Sequence, residues 1–281
     1  MPEVVIVGAG PLGGELAFLL ARRDTAESVT LVDEAGQIAA GKALDIMQSG
    51  PVESFTTQVA GHTDLYIAAG APIIVLADQA RGGEWQGDEA VALLRRLVRP
   101  GSPALVVCAG ASQCPLIEDA VRDRRVEGHR IFGSAPEALA AGIRAMTALE
   151  ADRSPSDVNL TVLGVPPNHV VIPWDDASIG GFAATRVLDE PARRRLAARV
   201  GHLWPPGPMA LAAAAAQAIA GLLGRTRRGL SVFAAPVDAN GGRRTRVGAV
   251  PVTLGPAGIE RVELPTLSGA DRVALDNALL L

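Results

Sequence analysis

Gly8, Gly10 and Gly13 stand between a β-branched run, Val4 to Val7, and an apolar-periodic helix. Asp33 follows twenty residues after Gly13, at the end of a second extended segment. In that setting the residue types suit a dinucleotide. Gly8 permits a tight turn off the strand, Gly10 leaves no Cβ in the way of a pyrophosphate, and Gly13 lets the helix pack closely on the sheet. Pro11 and Leu12 open the helix, where free N–H groups and the positive dipole end attract phosphate. Asp33 is placed to accept hydrogen bonds from ribose hydroxyls. Glu34, Ala35, Gly36 and Gln37 offer no arginine for a 2′-phosphate, so the pattern favours NAD over NADP. Ala77, closing a later apolar strand, joins this candidate cofactor set. The alternative is a βα turn whose glycines serve packing alone.

The elements that must position these residues follow from hydrophobic periodicity. Residues 35–55 carry Ala39, Ala43, Ile46 and Met47 at helical spacing, with Ser49-Gly50-Pro51 expected to end the helix. Ile73–Ala77 and Leu105–Cys108 read as short strands buried on both faces, residues 115–127 as a helix and Arg130–Gly133 as one more strand. This βαβα alternation predicts an α/β fold with a Rossmann-type, doubly wound parallel sheet over residues 1–145. Residues 146–281 lose that regularity and are expected to form an α+β C-terminal domain. It would contain a strand at 158–165, helices around 191–203 and 208–223, and strands at 231–237 and 247–264 turning at Gly255-Pro256-Ala257-Gly258. Ser268 would cap a last helix, Gly269–Leu281.

Composition narrows the function classes. Of 281 residues 48% are hydrophobic but only 3% aromatic, so the core is aliphatic. A net charge of −4 argues against nucleic acid as a partner. Cys108 and Cys114 are too few for a disulfide framework and lack partners for a zinc site, so no metal is expected. The N-terminus enters a strand without a signal-peptide pattern, and the apolar run 210–223 is too short to span a bilayer. A soluble, cytoplasmic protein is the expectation.

The segment GKALDIMQSGPVE (41–53) and the strand pair VGAVPVTLGPAGIERVEL (247–264) make the chain resemble the malate and lactate dehydrogenases, most closely the malate branch. The resemblance covers essentially the whole chain. It implies a homodimeric or homotetrameric oxidoreductase that interconverts 2-hydroxy and 2-keto acids with NAD. Such chemistry needs a histidine base oriented by an aspartate, an arginine on the carbonyl, two arginines on carboxylates and a strand-end asparagine. Matched position by position, Arg81 stands where the family grips the distal carboxylate. The carbonyl-polarising arginine falls on Gly87, the asparagine on Ala109, the orienting aspartate on Leu139 and the anchoring arginine on Gly142. The histidine falls on Pro166 or Pro167.

His169, three residues on, is the one candidate for a relocated base, against an ordinary surface histidine. Arg81 could still hold an acidic ligand, against a solvated loop arginine. Asp175 and Asp176, adjacent on an extended chain, would point to opposite sides and share no site. The sequence therefore describes an NAD(H)-binding oxidoreductase homologue with its family catalysis lost or altered. The alternative is a catalytically inactive, NAD-binding pseudoenzyme acting as a sensor or an oligomer partner.

Overall fold

The computed structural model describes residues 3–235 and 246–280. Its first half winds as the apolar runs dictate: β1 (Glu3–Val7), α1 (Pro11–Arg22), β2 (Ser28–Val32), α2 (Gly36–Glu53), β3 (Gln58–His62), β4 (Ile73–Leu76), α3 (Gly87–Leu97), β5 (Leu105–Cys108), α4 (Cys114–Arg122) and β6 (Ile131–Gly133). These six strands pair in parallel in the order β3-β2-β1-β4-β5-β6, which is that of a dinucleotide-binding sheet. The order reverses between β1 and β4. The crevice beyond their C-terminal ends is where an open α/β sheet places a ligand.

After α5 (Ala135–Glu150) come β7 (Val158–Asn159), β8 (Leu163–Val165), β9 (His169–Val171), β10 (Ser178–Ile179), β11 (Phe182–Ala183), α6 (Ala184–Val187), α7 (Glu190–Arg199) and α8 (Pro208–Leu222). The chain closes with β12 (Leu230–Ala234), β13 (Gly248–Gly255), β14 (Gly258–Val262) and α9 (Gly269–Leu280). β12 and β13 are antiparallel and join the parallel sheet through β6. β8 and β9 follow, so that β9 is the outermost strand on that side. β7, β10 and β11 make a separate three-stranded sheet. Helix α1 packs against α2 and α8, and α3 against α4. Among the described residues no helix is long and apolar enough to cross a membrane.

The α/β architecture is the expected one, with three local differences. Residue 145, the expected division, lies inside α5; β12, β13, β8, β9 and β14 extend the first half's sheet, and β7, β10 and β11 form a sheet of their own. Helix α2 runs through Pro51 to Glu53. A proline this close to the C-terminus removes only one backbone bond, and Ser54, left-handed at φ 62°, closes the helix by donating to the Gly50 carbonyl. The strand expected at 158–165 is split into β7 and β8, which lie in different sheets. The helix expected to reach residue 127 stops at Arg122, with Arg124 at φ 50°. Residues 236–237 of one expected strand, and Leu281, lie outside the described residues.

Candidate functional site

The cofactor candidates converge at the crevice. Gly8, Gly10, Pro11, Leu12 and Gly13 form the turn from β1 into α1, and Ala77, fully buried, donates its N–H to the Val7 carbonyl at 3.0 Å. Gly8, at φ +117°, lies against the Asp78 backbone, and the Asp78 carbonyl accepts the Gly10 N–H at 2.8 Å. Lys42, the only lysine, donates to the Gly10 carbonyl at 2.6 Å. Helix α1 has no side-chain cap of its own and no acid in its first turn. Its N-terminal N–H groups therefore need an acceptor from elsewhere.

That acceptor is Asp78, 66 residues away in sequence from Leu12. Its carboxylate takes the Leu12 N–H at 3.1 Å and the Gly13 N–H at 2.9 Å. A Cβ at Gly10 would run into this carboxylate, so the space that the glycine leaves open is filled by Asp78. These are the N–H groups and the gap that a pyrophosphate would use.

The rest of the loop is fastened in the same way. Glu84 accepts from Ala111 N at 2.8 Å and Ser112 N at 2.6 Å, and its carboxylate fills the position a Cβ at Gly110 would take. Trp85, 3% exposed, donates its indole N–H to the Val7 carbonyl at 3.3 Å. Asp33 is itself 3% exposed, and its oxygens accept from Ala9, Ala35 and Ala80, each at 2.8 Å. Hydrogen bonds to charged groups are worth about 1.5–3 kcal/mol each, so four loop segments are held together by carboxylates. Two hollows of about 180 and 230 Å³ share Glu34, Leu65, Leu93 and Arg96, and a third of about 420 Å³ is lined by Pro11, Gly14, Phe18 and Lys42, so it is the Asp78 and Glu84 carboxylates and not volume that decide the fit. In this arrangement the residues present do not fit NAD.

The catalytic candidates do not meet. Arg81 is exposed on the loop after β4 and makes no hydrogen bond or ion pair among the described residues. His169 is exposed on β9, six positions along the sheet from β4, and likewise has no polar partner among them. Gly87 opens α3 at φ +56°, Ala109 is fully buried, and Gly142 lies near Leu203. Leu139, 1% exposed, packs with Ile143, Leu160 and Val162. Pro166 is buried. At the same edge of the sheet the buried Gln113 Nε2 and Ser134 Oγ have no partner among the described residues, but neither is a proton-transfer base near neutral pH. Asp175 and Asp176 are exposed on a turn. No group of three or more metal-ligating side chains occurs among the described residues.

Asp78, Glu84 and Trp85 are the residues that sequence reasoning did not single out. The available signal was an acid directly after a fully apolar strand, opposite a helix start with no cap of its own.

The strand order and the βα turn give the chain the α/β fold seen in dinucleotide-binding proteins. Within that class the chain is a sequence relative of the malate dehydrogenases and has the fold of the malate and lactate dehydrogenases. It is 29% identical to the malate dehydrogenase of Thioalkalivibrio sulfidiphilus, over 99% of this chain and 96% of that protein. It is 28% identical to that of Desulforudis audaxviator, over 98% and 94%. The malate dehydrogenase structure from Salinibacter ruber superposes with a TM-score of 0.85 at 24% identity, over 98% of this chain and 93% of that one. A Cryptosporidium parvum lactate dehydrogenase, solved with lactic acid and β-nicotinamide adenine dinucleotide, gives 0.86 at 19%, over 99% and 94%. No model of a known protein family matches the chain.

Proposed function

We propose that this protein is a pseudoenzyme on the malate dehydrogenase scaffold: it does not interconvert 2-hydroxy and 2-keto acids. The observation that carries this reading is the loss of proton-transfer and carbonyl-polarising groups together. Gly87, Ala109, Leu139, Gly142 and Pro166 or Pro167 stand at the matched positions, and His169, the histidine next along the chain, is on the outermost strand. A positioned proton-transfer group is worth about 10²–10⁴ in rate, and one stabiliser of a developing oxyanion about 10²–10³. Such losses do not add simply, but a chain missing both kinds of group should fall below the ordinary range of turnover.

The test is NADH oxidation, followed by absorbance, with oxaloacetate, pyruvate and a panel of longer and branched 2-keto acids. No rate above the uncatalysed background is expected. Turnover of any of them at about 1 s⁻¹ or faster, within the ordinary range of enzymes, overturns the reading. If such a rate appeared, His169→Ala and Arg81→Ala would show whether those two residues supply it.

A further inference from the structure

We propose that the loop 78–86 is the permanent occupant of the chain's own dinucleotide cleft, with the Asp78 carboxylate standing in for the pyrophosphate. Three features of the loop point the same way. Asp78 uses both oxygens on the N–H groups of Leu12 and Gly13, the pair that the turn after β1 would present to a phosphate. Glu84 places a second carboxylate on Ala111 N and Ser112 N, beyond β5, and Asp78 and Glu84 pair across the loop in antiparallel fashion. Trp85 is buried over the ends of β1 and β4, its indole N–H on Val7. The glycines at 10 and 110 leave the volume that these two carboxylates fill.

Charge matters as much as volume. Asp33, Asp78 and Glu84 bring three carboxylates to a crevice whose backbone N–H groups they neutralise. A dinucleotide would have to displace Asp78 from its hydrogen bonds and then lie beside it, one anion against another. Asp33 has about one acceptor site to spare, because its oxygens already take N–H groups from Ala9, Ala35 and Ala80. Loss of turnover alone would not require any of this, since an inactive chain can still bind NADH. Binding and turnover are therefore separate measurements, and this inference stands or falls on binding.

The experiment is calorimetric titration of the full-length protein with NADH, for the unmodified chain and for Asp78→Ala. The unmodified chain should show no saturable binding up to about 1 mM. Removing the carboxylate frees the two N–H groups and the gap at Gly10, and affinity should rise at least tenfold, into a measurable range. Tight binding by the unmodified chain, with a Kd near 10 μM or below, overturns the proposal. So does an Asp78→Ala variant that folds, by circular dichroism, and binds no better.

If Asp78→Ala does not fold, Asp78→Asn takes its place with the same two outcomes, because it removes the charge while keeping an acceptor oxygen. The unmodified chain gives a further check. Amide exchange at Leu12 and Gly13 should not respond to NADH, and a response overturns the assignment.

Discussion

Glu137 and Arg144 lie two turns apart on α5, with side chains 8% and 11% exposed, and they form an ion pair inside the protein. The pair is fully engaged. The second Glu137 oxygen accepts the Ser231 N–H at 2.9 Å, Arg144 donates to the Leu160 carbonyl at 3.2 Å, and Ser231 Oγ accepts from Val162 N at 2.9 Å. It thus ties α5 to β12 and to the segment entering β8. Arg144→Leu leaves a buried carboxylate with no cation. Breaking a buried pair from one side costs about 3–5 kcal/mol. With a urea m-value of about 3 kcal/mol/M, the unfolding midpoint should fall by about 1–1.7 M. Glu137→Leu strands the guanidinium and the Ser231 N–H and should cost a similar amount. The double variant removes both charges and leaves only neutral backbone groups unpaired, at about 1–3 kcal/mol each. It should therefore be more stable than the sum of the singles, by about 2 kcal/mol or more. The assay is urea unfolding read by circular dichroism and by fluorescence, with coincident transitions required before any free energy is taken. A loss below about 1 kcal/mol for Arg144→Leu, or strict additivity in the cycle, would refute the reasoning.

Two further outcomes concern titration. Burial pushes the Cys108 thiol well above its ordinary range and Cys114 up to about 12, with Glu118 adding to the effect on Cys114 and Arg246 opposing it. In the native protein at pH 8 neither should react with a thiol reagent, and both should react in urea. Because the folded values are raised, the stability they contribute is complete below the ordinary thiol value of about 9 and is lost as pH rises from there toward about 12. Reaction of either thiol in the native state would show that the C-terminal ends of the strands are open. Asp24 is the reverse case. Hydrogen bonds from the backbone N–H groups and hydroxyls of Thr56 and Thr57 hold its carboxyl below the usual range. Asp24→Asn should lower thermal stability at pH 7, and its deficit should close as pH falls below 3.8, where the carboxylate of the parent is itself being lost. A deficit independent of pH would assign the effect to packing.

Much of the fold was legible because the parallel strands are fully apolar runs separated by amphipathic helices, and burial on both faces leaves that trace in the sequence. Pro51 misled because a proline signals the end of a helix only where a lost backbone bond matters, and α2 absorbs it in its last turn. The attachment of β12 to β6 was not legible either, because it is set by long-range pairing that no local pattern records. The proposed loss of catalysis rests on the sequence match alone, where Gly87, Leu139 and Pro166 or Pro167 carry no side chain able to move a proton or polarise a carbonyl. The roles of Asp78 and Glu84 were not legible, because their partners are 66 and about 27 residues away in sequence.

A glycine pattern reports that something approaches the backbone closely, and it does not say what. At Gly8 the approaching atoms are the Asp78 backbone, at Gly10 its carboxylate, and at Gly13 the carbonyl of Gly8. Every glycine of the fingerprint is therefore required by this chain's own packing. The helix behind it is required too: α1 has no cap, and an acid supplied from β4 gives its N-terminus the negative charge that the dipole favours. Selection for cofactor binding is not needed to keep Gly10 once Asp78 sits against it, since an alanine there would collide with the carboxylate. The same residues that would hold a dinucleotide become, with one acid added at position 78, a structural clasp between β1 and β4. The stability of α1 and the affinity for NADH should then move in opposite directions when Asp78 is replaced: the first falls and the second rises.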